Sequence, residues 1–467
     1  MSFENASLKE ILGRAKSLVD KRIFDIAPSD ITLNIKDKGV IGNLIQQYGF
    51  YVPVNNDAAP DFKKEGIELK IIPLSPLKKK KEFSVKERTK ICSIDYTKIQ
   101  SETWKSSHAK TKLQRVLFVF YVYDGETPLN SQIQAFSLYE LNNYQEDETI
   151  FATDWDIVHT KVAEGKAHEI SETLFTYLSA STSGSGGLGS IVPQPIKTYS
   201  PNAKKRSFSL KQSYTKVLWE LTQGVEFDLL SKNYKFVSSD DVESLLLKSL
   251  ERFEGRTISD VAKELDIKIS DSKNFASTIL RRALGFKGKN KPIKEVEQLG
   301  LIVKAIPFRD TDMWPWEALS FPFQPIAEIV EEEKFEESDL YNKLSGIMLI
   351  PIYRNTKKAS SREKVIGKPF IWRPNTKELN IIKSEWENYR LVIREGIAIV
   401  KKPANTKNGF KRSTNLPKES NTKIIHMRPH GADGNDVDIS IEGVEITKHC
   451  FWLNKIFLQE LLVKNSK

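Results

Sequence analysis

Cysteine is nearly absent: the 467-residue chain holds two, Cys92 and Cys450, far apart. Neither a disulfide framework nor a zinc-ligand spacing can be built from that pair, which fits a reducing cytoplasm. No apolar run reaches the length needed to cross a bilayer, and the opening MSFENASLKEILGRAK has no apolar signal core. A cytoplasmic, soluble protein with no membrane partner is therefore expected. Acid is the scarcer sign of charge. The 61 Asp and Glu against 71 Lys and Arg leave a formal net charge of +10, with a pI of about 9.1. That balance favours an anionic partner without naming it, and fits a merely soluble basic protein as well. The hydrophobic fraction of 39% is enough for packed cores. The length suits two domains of roughly 200 to 250 residues.

What is present centres on PDFKKEGIELKIIP, Pro60 to Pro73. In the strand-like part, a period of two places Glu68 and Lys70 on one face and Leu69 on the other. Asp61 arrives from the preceding loop. Two carboxylates beside an ammonium suit phosphodiester hydrolysis: the acids can hold a hard cation such as Mg²⁺, and the lysine can orient a water or offset charge on phosphate. The bare spacing fits a solvated strand edge with a surface ion pair equally well.

Other stretches place this motif. Leu8, Ile11, Leu12, Ala15, Leu18 and Val19 recur at helical spacing within Leu8 to Ile26. Asp37 can cap a helix over Gly39 to Tyr48. LQRVLFVFYVY, Leu113 to Tyr123, reads as a central strand. His108, just upstream, reads as structural or phosphate-facing. The run Lys78 to Lys81 is a solvated face or a phosphate contact. SASTSGSGGLGS, Ser179 to Ser190, is a low-complexity loop, and Lys204, Lys205 and Arg206 after it are candidates for phosphate contacts.

Three segments, DKGVIGNLI (Asp37 to Ile45), PDF…GIELKIIP and TWKSSHAKTKLQRVLF (Thr103 to Phe118), carry a family resemblance. In their order and approximate spacing the chain resembles the MutH mismatch-repair endonuclease and the MutH-like type II restriction enzymes that cut at GATC. The resemblance implies metal-binding acids at Asp61 and Glu68, with the Leu69 carbonyl completing the site. It also implies a catalytic lysine at Lys70 and a further active-site lysine at Lys112. Gln46 stands where the family has a glutamate facing the metal, and as a neutral amide it can accept a hydrogen bond from a water there. Where the family has an Arg-Pro-Lys recognition loop, this chain has Ser181, Thr182 and Ser183, which excludes bidentate guanine readout by arginine but leaves small polar groups near base edges.

The chain then repeats itself. LKEILGRAKSLVDKRIFDIA from Leu8 is echoed by ESLLLKSLERFEGRTISDVA from Glu243, and GIELKIIP from Gly66 by GLIVKAIP from Gly300. Lys112-Leu113 recurs as Lys343-Leu344, Trp155 as Trp386, and SFSLK from Ser207 as CFWLN from Cys450. A slowly drifting offset points to duplication. In the second copy Glu295 stands for Asp61 and Lys304 for Lys70, but Ile302 replaces Glu68 and cannot ligate a metal. That copy keeps Arg428-Pro429-His430, in the manner of the recognition loop, so Arg428 and His430 are DNA-contact candidates.

The expected fold is mixed α/β: two tandem MutH/restriction-endonuclease-like domains, each a central mixed sheet flanked by helices. A catalytic domain spans 1–223, a linker 224–240, and a degenerate DNA-binding effector domain 241–467. The expected function is Mg²⁺-dependent cleavage of double-stranded DNA at GATC within a restriction system that includes a methyltransferase. Two chains meet on the DNA, or one nicks twice. The alternatives are a MutH-type strand-nicking repair enzyme and a catalytically silent DNA-binding protein.

Overall fold

A computed structural model describes residues 3–29, 31, 39–55, 58–77, 82–124, 127–183, 188–197, 199–230, 236, 238–272, 274–286, 291–403, 410–431 and 435–466. Asp37, the run Lys78 to Lys81 and residues 184–187 of the serine-glycine loop lie outside these. The chain divides into two compact units, Met1–Val242 with Lys291–Leu299, and Glu243–Asn290 with Gly300–Lys467. The expected boundary is corrected in one respect. Residues 226–230 are not a free linker, because Asp228 pairs with Ile293 as a β-bridge and the Leu230 N–H donates to Glu295 at 3.0 Å, both within the first unit.

The first unit opens with α1 (Leu8–Leu18), whose Ile11, Ala15 and Leu18 turn inward. Its start is fixed by Glu10 Oε2 accepting from the Ser7 N–H at 2.7 Å. Next, α2 (Val40–Leu44) follows Gly39 and runs on as a π turn over Ile45–Gly49. The strands are β1 (Glu68–Leu77), β2 (Glu82–Val85) and β3 (Thr89–Ser93), then α3 (His108–Leu113), β4 (Arg115–Val122) and β5 (Gln132–Glu140). The central sheet has the order β2-β1-β4-β5, with β1 and β4 parallel and the outer pairs antiparallel. As the hydrophobic run predicts, β4 is central and covered on both faces. Leu117 and Val119 pack with Ile11, Ile41 and Leu69, while Phe120 meets Trp219 with ring centroids 5.4 Å apart.

Further along come α4 (Gln145–Ala163), β6 (Leu178–Thr182), β7 (Ile191–Pro193), β8 (Asn202–Lys204), β9 (Arg206–Leu210) and α5 (Gln212–Thr222). A second small sheet has the order β3-β9-β6. The start of β6 is held by Asp154 of α4, a fully buried carboxylate that accepts from the N–H groups of Thr176, Tyr177 and Leu178 at 2.7, 2.7 and 2.8 Å.

The second unit begins in α6 (Ser239–Glu251) and continues with α7 (Ile258–Glu264) and α8 (Phe275–Ala283). After α8 in the chain, α9 (Lys294–Leu299) belongs to the first unit: Gln298 accepts from Tyr177 Oη at 3.2 Å and from Ser213 Oγ at 2.7 Å. The sheet elements are β10 (Ile302–Arg309), β11 (Leu319–Ser320), and, after α10 (Ile326–Glu331) and α11 (Asp339–Lys343), β12 (Ile347–Arg354), β13 (Val365–Ile366) and β14 (Phe370–Trp372). Parallel β10 and β12 repeat the β1–β4 pair. The remainder is α12 (Thr376–Glu395), β15 (Ile399–Pro403), β16 (Phe410–Thr414), β17 (Ile425–Pro429), β18 (Val437–Ile439), β19 (Glu445–Thr447), β20 (His449–Leu453) and α13 (Lys455–Asn465). Here β11-β20-β17 repeats β3-β9-β6.

The duplication extends to hydrogen bonds. Glu385 of α12 accepts from the N–H groups of Lys423, Ile424 and Ile425 at the start of β17, as Asp154 does for β6. Gly66 and Gly300, each two residues before its strand, have φ of +63° and +66°, a left-handed turn that glycine adopts without strain. Among the described residues no helix is long and apolar enough to cross a membrane. Both cysteines are free and buried.

Candidate active site

A tight loop brings the two acids together. Phe62 and Ile67 exchange backbone hydrogen bonds of 2.9 and 3.2 Å and both are fully buried, so the intervening turn folds back on itself. Arg115 braces it by donating to the Glu65 carbonyl at 2.6 Å. Asp61 is thereby carried to the start of β1, where its Oδ2 accepts from the Leu69 N–H at 2.8 Å. Leu69 itself is in the core and Glu68 points the other way, as the alternation predicts.

Glu68 is 5% exposed and sits between two ammonium groups. Lys70 Nζ lies 2.9 Å from Oε1 and Lys112 Nζ 2.8 Å from Oε2. Lys70 also donates to the Ile91 carbonyl at 3.2 Å and Lys112 to the Ala59 carbonyl at 2.7 Å. Lys112 comes from the last turn of α3, whose first turn is capped by buried Ser107 accepting from the Lys110 N–H at 3.0 Å. Burial, and then the charge of Glu68, push the Asp61 carboxyl up to about 6. Gln46, in the π turn, donates Nε2 to Asp61 Oδ1 at 3.3 Å and to the Pro53 carbonyl at 3.0 Å. The structure therefore brings Asp61, Glu68, Lys70, Lys112 and Gln46 to one place. Among the described residues no three His, Cys, Asp or Glu side chains cluster as a metal site. A cation held here would rest on the two carboxylates with backbone oxygen.

His108, half-buried at the head of α3, is held below its usual pKa by burial and by Lys112. Lys90 was not anticipated. On β3, its ammonium is lowered by partial burial and then by the charges of Lys70 and Lys205. Nothing in the sequence around Lys90 marks it, because its role comes from β3 being brought beside β1.

The expected DNA contacts divide. Lys204 and Lys205 are exposed. Arg206 is not: it is buried and its guanidinium donates to the carbonyls of Ala180, at 2.6 Å, and Ile170, so it ties strands together and cannot reach a phosphate. Ser181 is also buried, its hydroxyl bonded to Ser209 Oγ at 2.7 Å, which removes it from base readout. Thr182 and Ser183 are half-buried, and the Ser183 N–H donates to the Lys205 carbonyl at 2.9 Å.

In the second unit, register makes the correspondence explicit. Glu68 pairs with Val116 and Ile302 with Ile347; Lys70 pairs with Phe118 and Lys304 with Leu349. Ser181 pairs with Ser207 and Arg428 with Cys450, so Arg428 occupies the Ser181 position. Arg428 stacks on Trp452, 3.8 Å from the ring centroid, and His430 meets the same ring edge-on at 4.9 Å. Glu295 is not the counterpart of Asp61. The interval that forms a turn before β1 is helical before β10, and Glu295 on α9 is committed to the Leu230 N–H.

Comparison with known proteins agrees with this geometry. The family described as "DNA mismatch repair enzyme MutH" matches residues 50–154 and again 284–385, one match in each copy. The type II restriction enzyme Sau3AI of Staphylococcus aureus is 27% identical over 96% of both chains. The DNA mismatch repair protein MutH of Vibrio parahaemolyticus is 31% identical over 37% of this chain and 74% of its own length. That of Vibrio vulnificus is 29% identical over 44% of this chain and 89% of its own. With the Asp61–Glu68–Lys70 site and the tandem sheets, these matches make the chain a member of the MutH-like endonuclease family, built from two copies of the domain.

Proposed function

We propose that this chain is a type II restriction endonuclease that hydrolyses double-stranded DNA at GATC with Mg²⁺. One observation carries the reading: two carboxylates and two lysines converge in the first copy, within a chain whose resemblance to a restriction enzyme spans both copies. The donor set fits Mg²⁺, being hard oxygens: Asp61 accepts from the neutral Leu69 N–H and Gln46 amide, and Glu68 beside it is paired with Lys70 and Lys112. Asp61, Glu68 and the Leu69 carbonyl would hold the ion. Bound there, it would supply the Lewis acidity that favours hydroxide from water and offsets phosphate charge.

The chain's own groups do the rest. Lys70 Nζ orients the attacking water, and Lys112 Nζ stabilises charge growing on the phosphate oxygens. Gln46 has its Nε2 committed, which leaves Oε1 to accept a hydrogen bond from the O–H of a water. Lys90, Lys204 and Lys205 offer phosphate contacts that position the duplex. One competent site per chain means that two chains meet on the duplex or one chain cuts the strands in turn. The second copy serves as a DNA-binding effector through Arg428 and His430, and a methyltransferase of the same specificity protects the host genome. The test is end-mapping of GATC-containing DNA in Mg²⁺ and in Ca²⁺, methylated and unmethylated. Ends confined to GATC in Mg²⁺ support the proposal, whereas absence of cutting in every arm leaves a silent DNA-binding protein as the correct reading.

A further inference from the structure

Four non-glycine residues among those described have a left-handed backbone, and two of them, Asp20 and Asp266, are of a type that tolerates it. Tyr51 is the one next to the Asp61 site. Its φ is +53°, although its side chain is 45% exposed and no burial in the core holds it there. Such a backbone is strained for an aromatic residue and persists where the surroundings over-determine it.

The reversal at Tyr51 brings the next two residues back onto Gln46. The Val52 N–H donates to the Gln46 carbonyl at 3.1 Å, beside the Phe50 N–H at 3.3 Å, and the Pro53 carbonyl accepts from Gln46 Nε2 at 3.0 Å. Gln46 Nε2 in turn reaches Asp61 Oδ1 at 3.3 Å. Arg14 of α1 closes the turn from the other side. Its Nε donates to the Gly49 carbonyl at 2.5 Å and its Nη2 to the Tyr48 carbonyl at 3.4 Å, while its guanidinium lies 4.7 Å from the centroid of the Tyr51 ring. Phe3 completes the clasp: its N–H donates to the Tyr51 carbonyl at 3.2 Å, and its ring centroid is 5.9 Å from that of Tyr51.

We propose that Arg14 and Tyr51 are positioning residues: their clasp holds the left-handed turn that sets the Gln46 amide against Asp61, and so prepares Asp61 for a divalent cation. This role rests on the metal site of the endonuclease reading. Neither residue touches the cation or the phosphate; each acts through Gln46. Strain held at Tyr51 keeps Gln46 Nε2 committed to both Pro53 and Asp61, so the carboxylate is oriented before a cation arrives and binding carries less cost of reorganisation.

The test is calorimetric titration of the full chain with Ca²⁺ alone, with Mg²⁺-dependent cleavage of a GATC duplex measured in parallel. Tyr51→Val, whose branched side chain resists a positive φ, should weaken Ca²⁺ binding about tenfold and raise the Mg²⁺ needed for half-maximal cutting by a similar factor. The rate at saturating Mg²⁺ should stay near wild type. Tyr51→Gly, which adopts the turn without strain, should bind Ca²⁺ as wild type does. Arg14→Met should act in the same direction as Tyr51→Val, and Arg14→Lys should recover part of the loss. In a Gln46→Ala background neither Tyr51→Val nor Arg14→Met should weaken Ca²⁺ binding further, because their effect passes through Gln46. Wild-type Ca²⁺ affinity in both variants, or a loss just as large without Gln46, would overturn the clasp; if Tyr51→Val does not fold, Arg14→Met decides alone. A wild-type chain that binds Ca²⁺ and shows this coupling but cuts no DNA would overturn the endonuclease reading and leave the clasp standing, whereas one that binds no Ca²⁺ would overturn both.

Discussion

The two copies share a scaffold and differ at the positions of Glu68 and of Ser181. Both run a parallel strand pair from a left-handed glycine, and both fix the third strand of the small sheet with a carboxylate from the long helix. On that scaffold the first copy pairs Glu68 with two lysines and lines the small sheet with mutually bonded serines. The second replaces Glu68 with Ile302 and the serine position with an arginine stacked on tryptophan. The difference teaches that a few substitutions can change the chemistry of a copy while its strand pairing and backbone hydrogen bonds stay the same.

The largest expected effect breaks the catalytic half. Glu68→Ala should lower cleavage by about a thousandfold or more, while duplex binding in Ca²⁺ persists through phosphate contacts elsewhere. Adding Ile302→Glu to that variant should not restore cutting, because Glu295, which matches Asp61 by spacing, is bonded to the Leu230 N–H instead. Activity in the double variant, read by plasmid nicking, would show that Ile302 alone silences the second copy.

The shared scaffold is tested next. Asp154→Ala strips three buried N–H groups of their acceptor and should destabilise the protein by on the order of 3 kcal/mol. Glu385→Ala should cost less, because Glu385 is half-buried and water can replace it. Chemical denaturation of the full chain measures both. A shortened chain ending before α9 is a poor substitute, since it would remove buried Val296, Gln298 and Leu299 from the first unit.

How much was legible follows from the kind of signal. Strand alternation placed Glu68 and Lys70, the apolar run gave β4, and the repeat gave the second copy, because each is a periodic pattern imposed by packing. Arg206 and Ser181 went wrong for one reason: a charged or hydroxyl side chain is polar in sequence whether it meets a phosphate or a backbone carbonyl. Glu295 matched Asp61 by spacing, yet the same interval folds as a helix in one copy and a turn in the other. Lys90 and the residence of α9 in the first unit depend on contacts distant in sequence, which no local pattern encodes.

Acidity acts on the first copy's site through Asp61. With its carboxyl raised to about 6, folded Asp61 holds a proton more tightly than the unfolded chain does, where a carboxylate titrates near 4. Its contribution to metal-free stability is therefore absent above about pH 6 and grows as pH falls towards 4. Protons also compete with the metal, so the Mg²⁺ needed for half-maximal cutting should rise below about pH 6. Asp154 and Glu332 are raised in the same way, so Asp61's share is the difference between wild type and Asp61→Asn in stability against pH. The smallest effect is at Gln46: Gln46→Glu adds charge beside Asp61 and should lower the Mg²⁺ requirement about fivefold. An unchanged titration would place residue 46 outside the site.

The division of labour between the copies is tested most directly by cutting rates on plasmids with one and with two GATC sites. If the second copy binds a separate site and favours the assembled state, the two-site plasmid is cut faster, and Arg428→Ala reduces that advantage while the Asp61–Lys70 chemistry continues. Equal rates on both plasmids for the wild-type chain, unchanged by Arg428→Ala, would contradict it.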